Sequence, residues 1–173
     1  MKKIFALCMM VVLAAGLLAG CGSQAKEAAK ADTPKKIVVG LDDNYPPMGF
    51  KDENNEITGF DIDVAKEASK RLGREVEFKA IDWESKEAEL KSGRVDVLWN
   101  GLDITEKRKE NMMFSDPYMD NRQIVFVSKG KAQNIKSESD LAGKTVGTQS
   151  GGTAEEYLDG NAQLKGSMKE LKK

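Results

Sequence analysis

The chain has 173 residues, of which 40% are hydrophobic and 32% are charged, a composition typical of one or two folded domains rather than of a disordered segment. Its 27 basic and 28 acidic side chains nearly balance, which argues against nucleic-acid binding. The chain has no histidine, and this excludes histidine-dependent nucleophilic catalysis and most zinc sites. We expect neither a metal nor a cofactor.

The first twenty residues are typical of a secretory signal peptide. Lys2 and Lys3 precede an apolar run that is short for a membrane span, and small residues follow it. The tetrapeptide LAGC, which ends at Cys21, resembles the lipobox of bacterial lipoproteins, in which the cysteine is acylated. We therefore expect a signal peptide over 1–20 and export. We also expect a lipid on Cys21 that anchors the protein to the outer face of the bacterial cell membrane.

Residues 21–35 are small, charged and without an apolar face, which predicts a flexible tether. Beyond the tether, short β-rich runs alternate with helical patterns, and this alternation predicts an α/β fold. The predicted strands lie at 36–40, 75–81, 95–99, 123–127 and 144–148. The predicted helices begin at Asp61, Ser85, Thr105 and Ser137.

The first of these helices has the clearest pattern. Asp61 is predicted to be its N-cap, and Gly73 is predicted to end it. Ile62 and Leu72 fall on one apolar side, which we expect to be buried.

The residues that could bind a ligand follow the predicted strands, where ligands of α/β sheets usually lie. The turn at 150–153, SGGT, leads into a helix and could bind an anion, but its spacing matches no nucleotide-binding motif, and it could equally be an ordinary turn. Arg108 could grip a carboxylate or be one of many solvated charges. Asp42 could balance a cation or solvate a turn.

Two aromatic residues, Tyr45 and Trp83, are predicted to lie in loops. They could form the walls of a pocket, or they could be hydrophobic plugs between helices.

Taken together, these segments resemble the polar amino acid-binding proteins of ABC importers. The similarity rests on LDDNYPPMGF, ITGFDIDVAKE, GRVDVLWNGLDITEKRKENMMFSDPY and LAGKTVGTQSGGTAEE, and it covers nearly all of residues 36–160. It implies a periplasmic-binding-protein-like clamshell of two α/β lobes that closes on one amino acid. The protein would hand this amino acid to a membrane permease, act as a monomer and not be an enzyme.

The resemblance also implies the roles of individual residues. Arg108 would bind the ligand α-carboxylate with Thr153 and the amides of the SGGT turn, while Gly101 and Asp103 would contact the ammonium and carboxylate. Tyr45 and Trp83 would sandwich the ligand side chain. The ligand-binding set implied in this way is Asp42, Tyr45, Trp83, Asn100, Gly101, Asp103, Thr105, Arg108, Gly152 and Thr153.

Two positions depart from the family pattern. Asp103 stands where a hydroxyl residue is more usual, and Gly152 stands where threonine is frequent, which removes one donor. Losing a donor to a charged partner typically costs about 1.5–3 kcal/mol. Asp42 matches an acid that lies near the distal group of basic ligands, and this suggests a basic amino acid as one option.

The resemblance further implies lobe boundaries. We expect the first lobe at 36–122, a hinge strand at 123–128 and a partial second lobe at 129–173. Because family members continue beyond this length, we expect a truncated member that binds ligand poorly. Two alternatives on the same fold are a cyclohexadienyl dehydratase-type enzyme, with Glu84 or Asp103 as its acid, and a ligand-sensing domain.

Overall fold

A computed structural model describes residues 36–130 and 134–173. The signal peptide, the lipidated Cys21 and the tether predicted from the sequence lie outside the described residues. Within the described ranges, no helix is long and apolar enough to cross a membrane.

The N-terminal part, which we define as residues 36–111, contains a parallel sheet of three strands. Strand β1 (Lys36–Leu41) lies at its centre, between β5 (Glu75–Ala80) and β6 (Val97–Leu98). Both pairings are parallel, with Lys36 opposite Glu75 and Val39 opposite Val97. The three strands therefore end at the same edge of the sheet.

A small antiparallel sheet is inserted after β1. It consists of β2 (Asn44–Tyr45), β3 (Gly49–Lys51) and β4 (Ile57–Thr58) in that order. Tyr45 is therefore part of a short strand opposite Gly49, and not in a loop as predicted from the sequence. The residues before the two prolines can form this strand because they pair with the neighbouring strand, which a local reading of the sequence does not detect.

Two helices connect the strands of the parallel sheet. Helix α1 (Phe60–Arg71) follows β4, and α2 (Lys86–Lys91) follows a 3₁₀ turn at Trp83–Ser85. The buried apolar side chains of this part come from β1, α1 and the segment before β6. They are Val39, Leu41, Ile62, Ala65 and Val95.

The structure corrects two details of the prediction for α1. The N-cap is Gly59, and Asp61 is a completely buried residue inside the first turn. Leu72 is 67% exposed because it follows the last helical residue rather than lying on the buried side. Gly73, directly after the C-cap Leu72, has a φ of 63°, which confirms it as the terminating residue.

The C-terminal part, which we define as residues 134–173, has its own small core. A 3₁₀ turn (Glu138–Leu141) precedes β7 (Thr145–Gly147), which pairs in parallel with β8 (Glu170–Lys172). Helices α4 (Thr153–Gly160) and α5 (Ala162–Ser167) lie between these strands in the sequence. Leu141, Leu158 and Met168 form the buried cluster of this part.

The short helix α3 (Glu106–Lys109) lies at the end of the N-terminal part, and the segment 112–128 that follows contains no helix or strand. The strand predicted at 123–127 is therefore wrong for this structure. A strand needs a hydrogen-bonding partner, and no described segment pairs with these residues. As a result, the side chains of Ile124 and Phe126 are 65% and 87% exposed.

Candidate functional site

A cavity of about 190 Å³ lies where the strands of the parallel sheet end. The segments that follow β1, β5 and β6 contribute to it, and the turn between β7 and α4 also lines it. The lining residues are Asp42, Tyr45, Trp83, Asn100, Gly101, Leu102, Asp103, Arg108, Gln123, Thr148, Gln149, Gly152, Thr153 and Ala154.

The structure brings together nine of the ten residues proposed from the sequence as ligand contacts. Thr105 is the exception, because it is not part of the lining and instead caps α3, where its Oγ1 accepts a hydrogen bond of 3.2 Å from the Arg108 amide. Tyr45 and Trp83 both line the cavity, so their position favours the pocket-wall interpretation. The ligand contacts themselves stay predictions.

Arg108 links the N-terminal part to the C-terminal turn. Its guanidinium is buried, and Nη1 donates to the Asp103 carbonyl at 3.0 Å and to Thr153 Oγ1 at 3.1 Å. Nη2 donates to the Gly151 carbonyl at 3.2 Å, and a Glu156 carboxylate oxygen lies 3.6 Å from Nε. The cap at Thr105 orients the first turn of α3 so that Arg108 points into the site.

Asp42 and Asn100 form the part of the cavity nearest to the end of β1. The Asp42 amide donates to Asn100 Oδ1 at 2.7 Å, and one Asp42 carboxylate oxygen accepts a hydrogen bond of 2.5 Å from Gln149 Nε2. Asn100 is buried, and its Nδ2 has no hydrogen-bond partner among the described residues. A buried donor of this kind is costly unless a ligand or water satisfies it.

Asp103 lines the cavity and is hydrogen-bonded to two residues of the 112–128 segment. Its two carboxylate oxygens accept hydrogen bonds from Asn121 Nδ2 at 2.6 Å and from Gln123 Nε2 at 3.1 Å. These two amides compensate the negative charge next to a site where a carboxylate is expected.

The resemblance implied that backbone amides of the SGGT turn bind the ligand carboxylate, but two of these amides already have hydrogen-bond acceptors in the protein. The Gly151 amide donates to a Glu155 carboxylate oxygen at 2.7 Å, and the Gly152 amide donates to the Gln149 carbonyl at 3.1 Å. In this structure the turn therefore contributes the Thr153 hydroxyl to the Arg108 site, while these two amides are engaged by Glu155 and Gln149.

Sequence reasoning missed five of the lining residues: Leu102, Gln123, Thr148, Gln149 and Ala154. Gln149 and Thr148 directly follow β7, so the rule that ligands lie beyond the ends of strands could have identified them. Gln123 carried no such signal, because it was assigned to a strand.

The sequence also predicted the wrong role for Asp61, which does not line the cavity but is hydrogen-bonded to Gly101, a lining residue. Its two carboxylate oxygens accept hydrogen bonds from the Gly101 amide at 2.6 Å and from the Tyr118 hydroxyl at 2.8 Å. Burial raises the pKa of Asp61 above its usual value, and the bonds from Tyr118 and Gly101 oppose this shift. The carboxylate thus fixes the backbone at Gly101, a residue of the cavity wall.

The raised pKa of Asp61 predicts a specific pH dependence of stability. A carboxyl group with a higher pKa in the folded state contributes stability below its unfolded pKa, and this contribution is lost as pH rises through the folded pKa. In urea unfolding at a series of pH values, the wild-type free energy of unfolding should fall relative to that of Asp61→Asn as pH rises above about 4. The exposed residue Asp63 of the same helix provides the control, Asp63→Asn. A difference between wild type and Asp61→Asn that does not change with pH would contradict the assignment.

No group of three or more acidic or cysteine side chains that could hold a metal ion occurs within residues 36–130 and 134–173. Fold and cavity together define an α/β protein with a small polar cavity between two parts of the chain, lined by a buried guanidinium.

The chain matches the bacterial extracellular solute-binding proteins, family 3, over residues 37–173, and it belongs to this family. It is 36% identical over 159 residues to the L-cystine-binding protein TcyJ of Escherichia coli, covering 90% of this chain and 60% of that relative. It is 38% identical over 139 residues to the arginine-binding extracellular protein ArtP of Bacillus subtilis, covering 80% of this chain and 52% of that relative. The chain thus spans little more than half of the length of these relatives.

Solved structures share the fold. An ancestral arginine-binding protein bound to glutamine is 43% identical with a TM-score of 0.72, covering 80% of this chain and 60% of that chain. The ancestral amino acid-binding protein AncCDT-1, a precursor of cyclohexadienyl dehydratase, is 38% identical with a TM-score of 0.71, covering 80% and 59%. These similarities confirm the predicted periplasmic-binding-protein-like α/β fold and the family.

Proposed function

We propose that the protein is the extracytoplasmic substrate-binding component of an amino acid ABC importer, which captures a polar amino acid and delivers it to a membrane permease. The observation that carries this proposal is the buried Arg108 guanidinium, which lines the cavity next to the Thr153 hydroxyl. A planar fork of donors in a desolvated site is suited to a carboxylate, which every amino acid ligand carries.

The other lining residues complete a site for an amino acid. Arg108 and Thr153 would bind the α-carboxylate, and the Asp103 carboxylate with the Gly101 backbone would bind the ammonium. Tyr45 and Trp83 provide apolar walls for the side chain. The amide Nδ2 of Asn100 lacks a partner among the described residues and would donate to an acceptor of the ligand.

Isothermal titration calorimetry with the standard amino acids and cystine tests this proposal. We expect saturable heat from at least one polar amino acid. The absence of heat from all of them, with a folded protein shown by circular dichroism, would contradict it.

We further propose that the amino acid has a basic side chain. The lining contains the carboxylates of Asp42 and Asp103 but the single guanidinium of Arg108, so a ligand with a net positive charge would balance the site. Glu84, considered as a second acid from the sequence, is exposed and does not line the cavity. Of the two acids considered from the sequence for a basic side chain, Asp42 is therefore the one that supports the proposal.

Asp42→Asn should reduce the affinity for arginine or lysine by about tenfold or more, while the affinity for glutamine changes little. The reason is that the substitution removes a charge but keeps a group able to hydrogen-bond with Gln149. Asp43→Asn is the matched control, because Asp43 forms an ion pair with Lys51 and does not line the cavity. Equal losses for all ligands would exclude the basic class.

The proposal also covers the membrane anchor, the oligomeric state and the lobe boundaries of the protein. We propose export, a lipid on Cys21 that anchors the protein to the membrane, a monomeric state and a role in transport rather than in catalysis. The boundaries at 36–122, 123–128 and 129–173 are also proposed, with 123–128 as a hinge segment. These boundaries are supported by the two separate parallel sheets, β5-β1-β6 before the segment and β7-β8 after it.

The dehydratase alternative needs an acid that can protonate a leaving hydroxyl. Of its two candidates, Glu84 lies outside the cavity lining, and both carboxylate oxygens of Asp103 already accept hydrogen bonds from amides. These positions favour the binding function, and an assay for prephenate turnover distinguishes the two.

A further inference from the structure

Lys86, the first residue of α2, is a buried lysine that no part of the ligand site described above uses. It is only 3% exposed. Its ammonium donates to the Trp83 carbonyl at 3.1 Å and to the Gly151 carbonyl at 2.8 Å, and it lies 5.3 Å from the centre of the Trp83 ring. One of its two acceptors therefore belongs to the turn of the C-terminal part.

Burying an ammonium group is unfavourable unless its donors are satisfied. Burial, together with the nearby Arg108, lowers the pKa of Lys86, and Glu87, Glu156 and Glu155 oppose this shift. An apolar side chain of similar length would fill the same space without this cost. The hydrogen bonds of Lys86, rather than its packing, therefore account for its presence.

Gly151 forms the other half of the contact. Its carbonyl accepts hydrogen bonds from both Lys86 and Arg108, so one oxygen is held by two cations. The residue has a φ of 69°, and a Cβ atom there would lie 3.0 Å from Glu84 Cα and 3.1 Å from the Trp83 carbonyl oxygen. The turn thus approaches the backbone at 83–84 as closely as glycine permits.

We propose that Lys86 is a positioning residue for the turn at 149–153. By fixing the Gly151 carbonyl, its ammonium holds the C-terminal turn against the N-terminal part. This contact places Gln149 and Thr153 at the cavity, where they are hydrogen-bonded to Asp42 and Arg108. The contact itself is given by the fold, whereas its consequence for amino acid affinity rests on the proposed function.

Two variants and two matched controls test the contact. Lys86→Met keeps the length of the side chain but removes its donors, and Lys91→Met changes an exposed lysine of the same helix. Gly151→Ala introduces the close Cβ contact at a positive φ. Gly143→Ala introduces the same methyl at a φ of 70° with nothing within 4 Å. The Gly143 variant thus contains the backbone strain without the clash.

Amide hydrogen exchange of the full chain without ligand, followed by mass spectrometry, is the first measurement. Exchange over 148–155 should be about tenfold faster in Lys86→Met and Gly151→Ala than in the wild type. Both controls should exchange at the wild-type rate, and helix α1 should be unchanged in all variants. Wild-type exchange over 148–155 in Lys86→Met would overturn the proposal, even if Gly151→Ala did not fold.

Titration with L-arginine, L-glutamine, L-histidine and L-cystine is the second measurement. Lys86→Met should weaken binding by about tenfold, and Lys86→Arg should restore part of it, since it retains charged donors. Faster exchange with unchanged affinity would overturn the positioning role. If the wild type binds none of the four, the proposed function fails, while the exchange measurement still decides whether the contact exists.

Discussion

Arg108→Met should lower the affinity for any amino acid ligand by at least about 100-fold. The guanidinium is the single cationic group of the cavity lining, and it contacts the Thr153 hydroxyl and the Gly151 carbonyl from a buried position. Removing a buried, hydrogen-bonded charge that pairs with a ligand carboxylate typically costs about 2–5 kcal/mol. Isothermal titration calorimetry measures the loss directly.

The neighbouring residue Lys107 provides the control for this prediction. It belongs to the same helix and is exposed, so Lys107→Met should bind with wild-type affinity. Circular dichroism separates a loss of binding from a loss of folding. If Arg108→Met bound amino acids as tightly as the wild type, the carboxylate would have to be bound elsewhere.

Ile62→Ala should reduce the free energy of unfolding by about 2–5 kcal/mol, a large share of the stability of a small domain. Ile62 is completely buried on α1. Its truncation removes apolar contacts and leaves a cavity in a close-packed core, and both effects destabilise the fold. Urea unfolding followed by far-UV circular dichroism gives the value.

Leu72 provides the matched control, because it directly follows the same helix and is 67% exposed. Leu72→Ala should change the free energy of unfolding by less than about 0.5 kcal/mol. Similar losses for the two variants would contradict the burial described for α1.

Ile62 and Leu72 show which features of a helix the apolar periodicity of the sequence can predict and which it cannot. The apolar spacing correctly places a helix here and correctly buries Ile62. It fails at Leu72, because the helix ends one residue earlier and the chain turns at Gly73. The positions of strands β1, β5 and β7 were likewise predictable, since each is a short β-rich run next to a turn.

The cavity could be predicted to a large extent for a different reason. Parallel strands end at a common edge, so residues after β1, β5 and β6 meet there whatever their side chains. Asp42, Trp83 and Asn100 line the cavity in accordance with this rule. Thr105 does not, because its hydroxyl is used as a helix cap.

Long-range contacts account for what could not be predicted. Asp61 reads as a helix cap in the sequence, yet its partners are Gly101 and Tyr118, 40 and 57 residues away. Lys86 reads as one of many surface lysines, yet its partner Gly151 is 65 residues away. Neither pairing leaves a local pattern that sequence reasoning could use.

The central claim, that the cavity binds an amino acid through Arg108, is tested most directly by NMR. Backbone amide shifts of the ¹⁵N-labelled protein would be followed while L-arginine, L-glutamine, L-histidine or L-cystine is added. We expect saturable shifts for at least one ligand, concentrated at 42–45, 100–108 and 148–154, and no shifts in Arg108→Met. Shifts that are absent for all four ligands, or that lie elsewhere on the protein, would contradict the account.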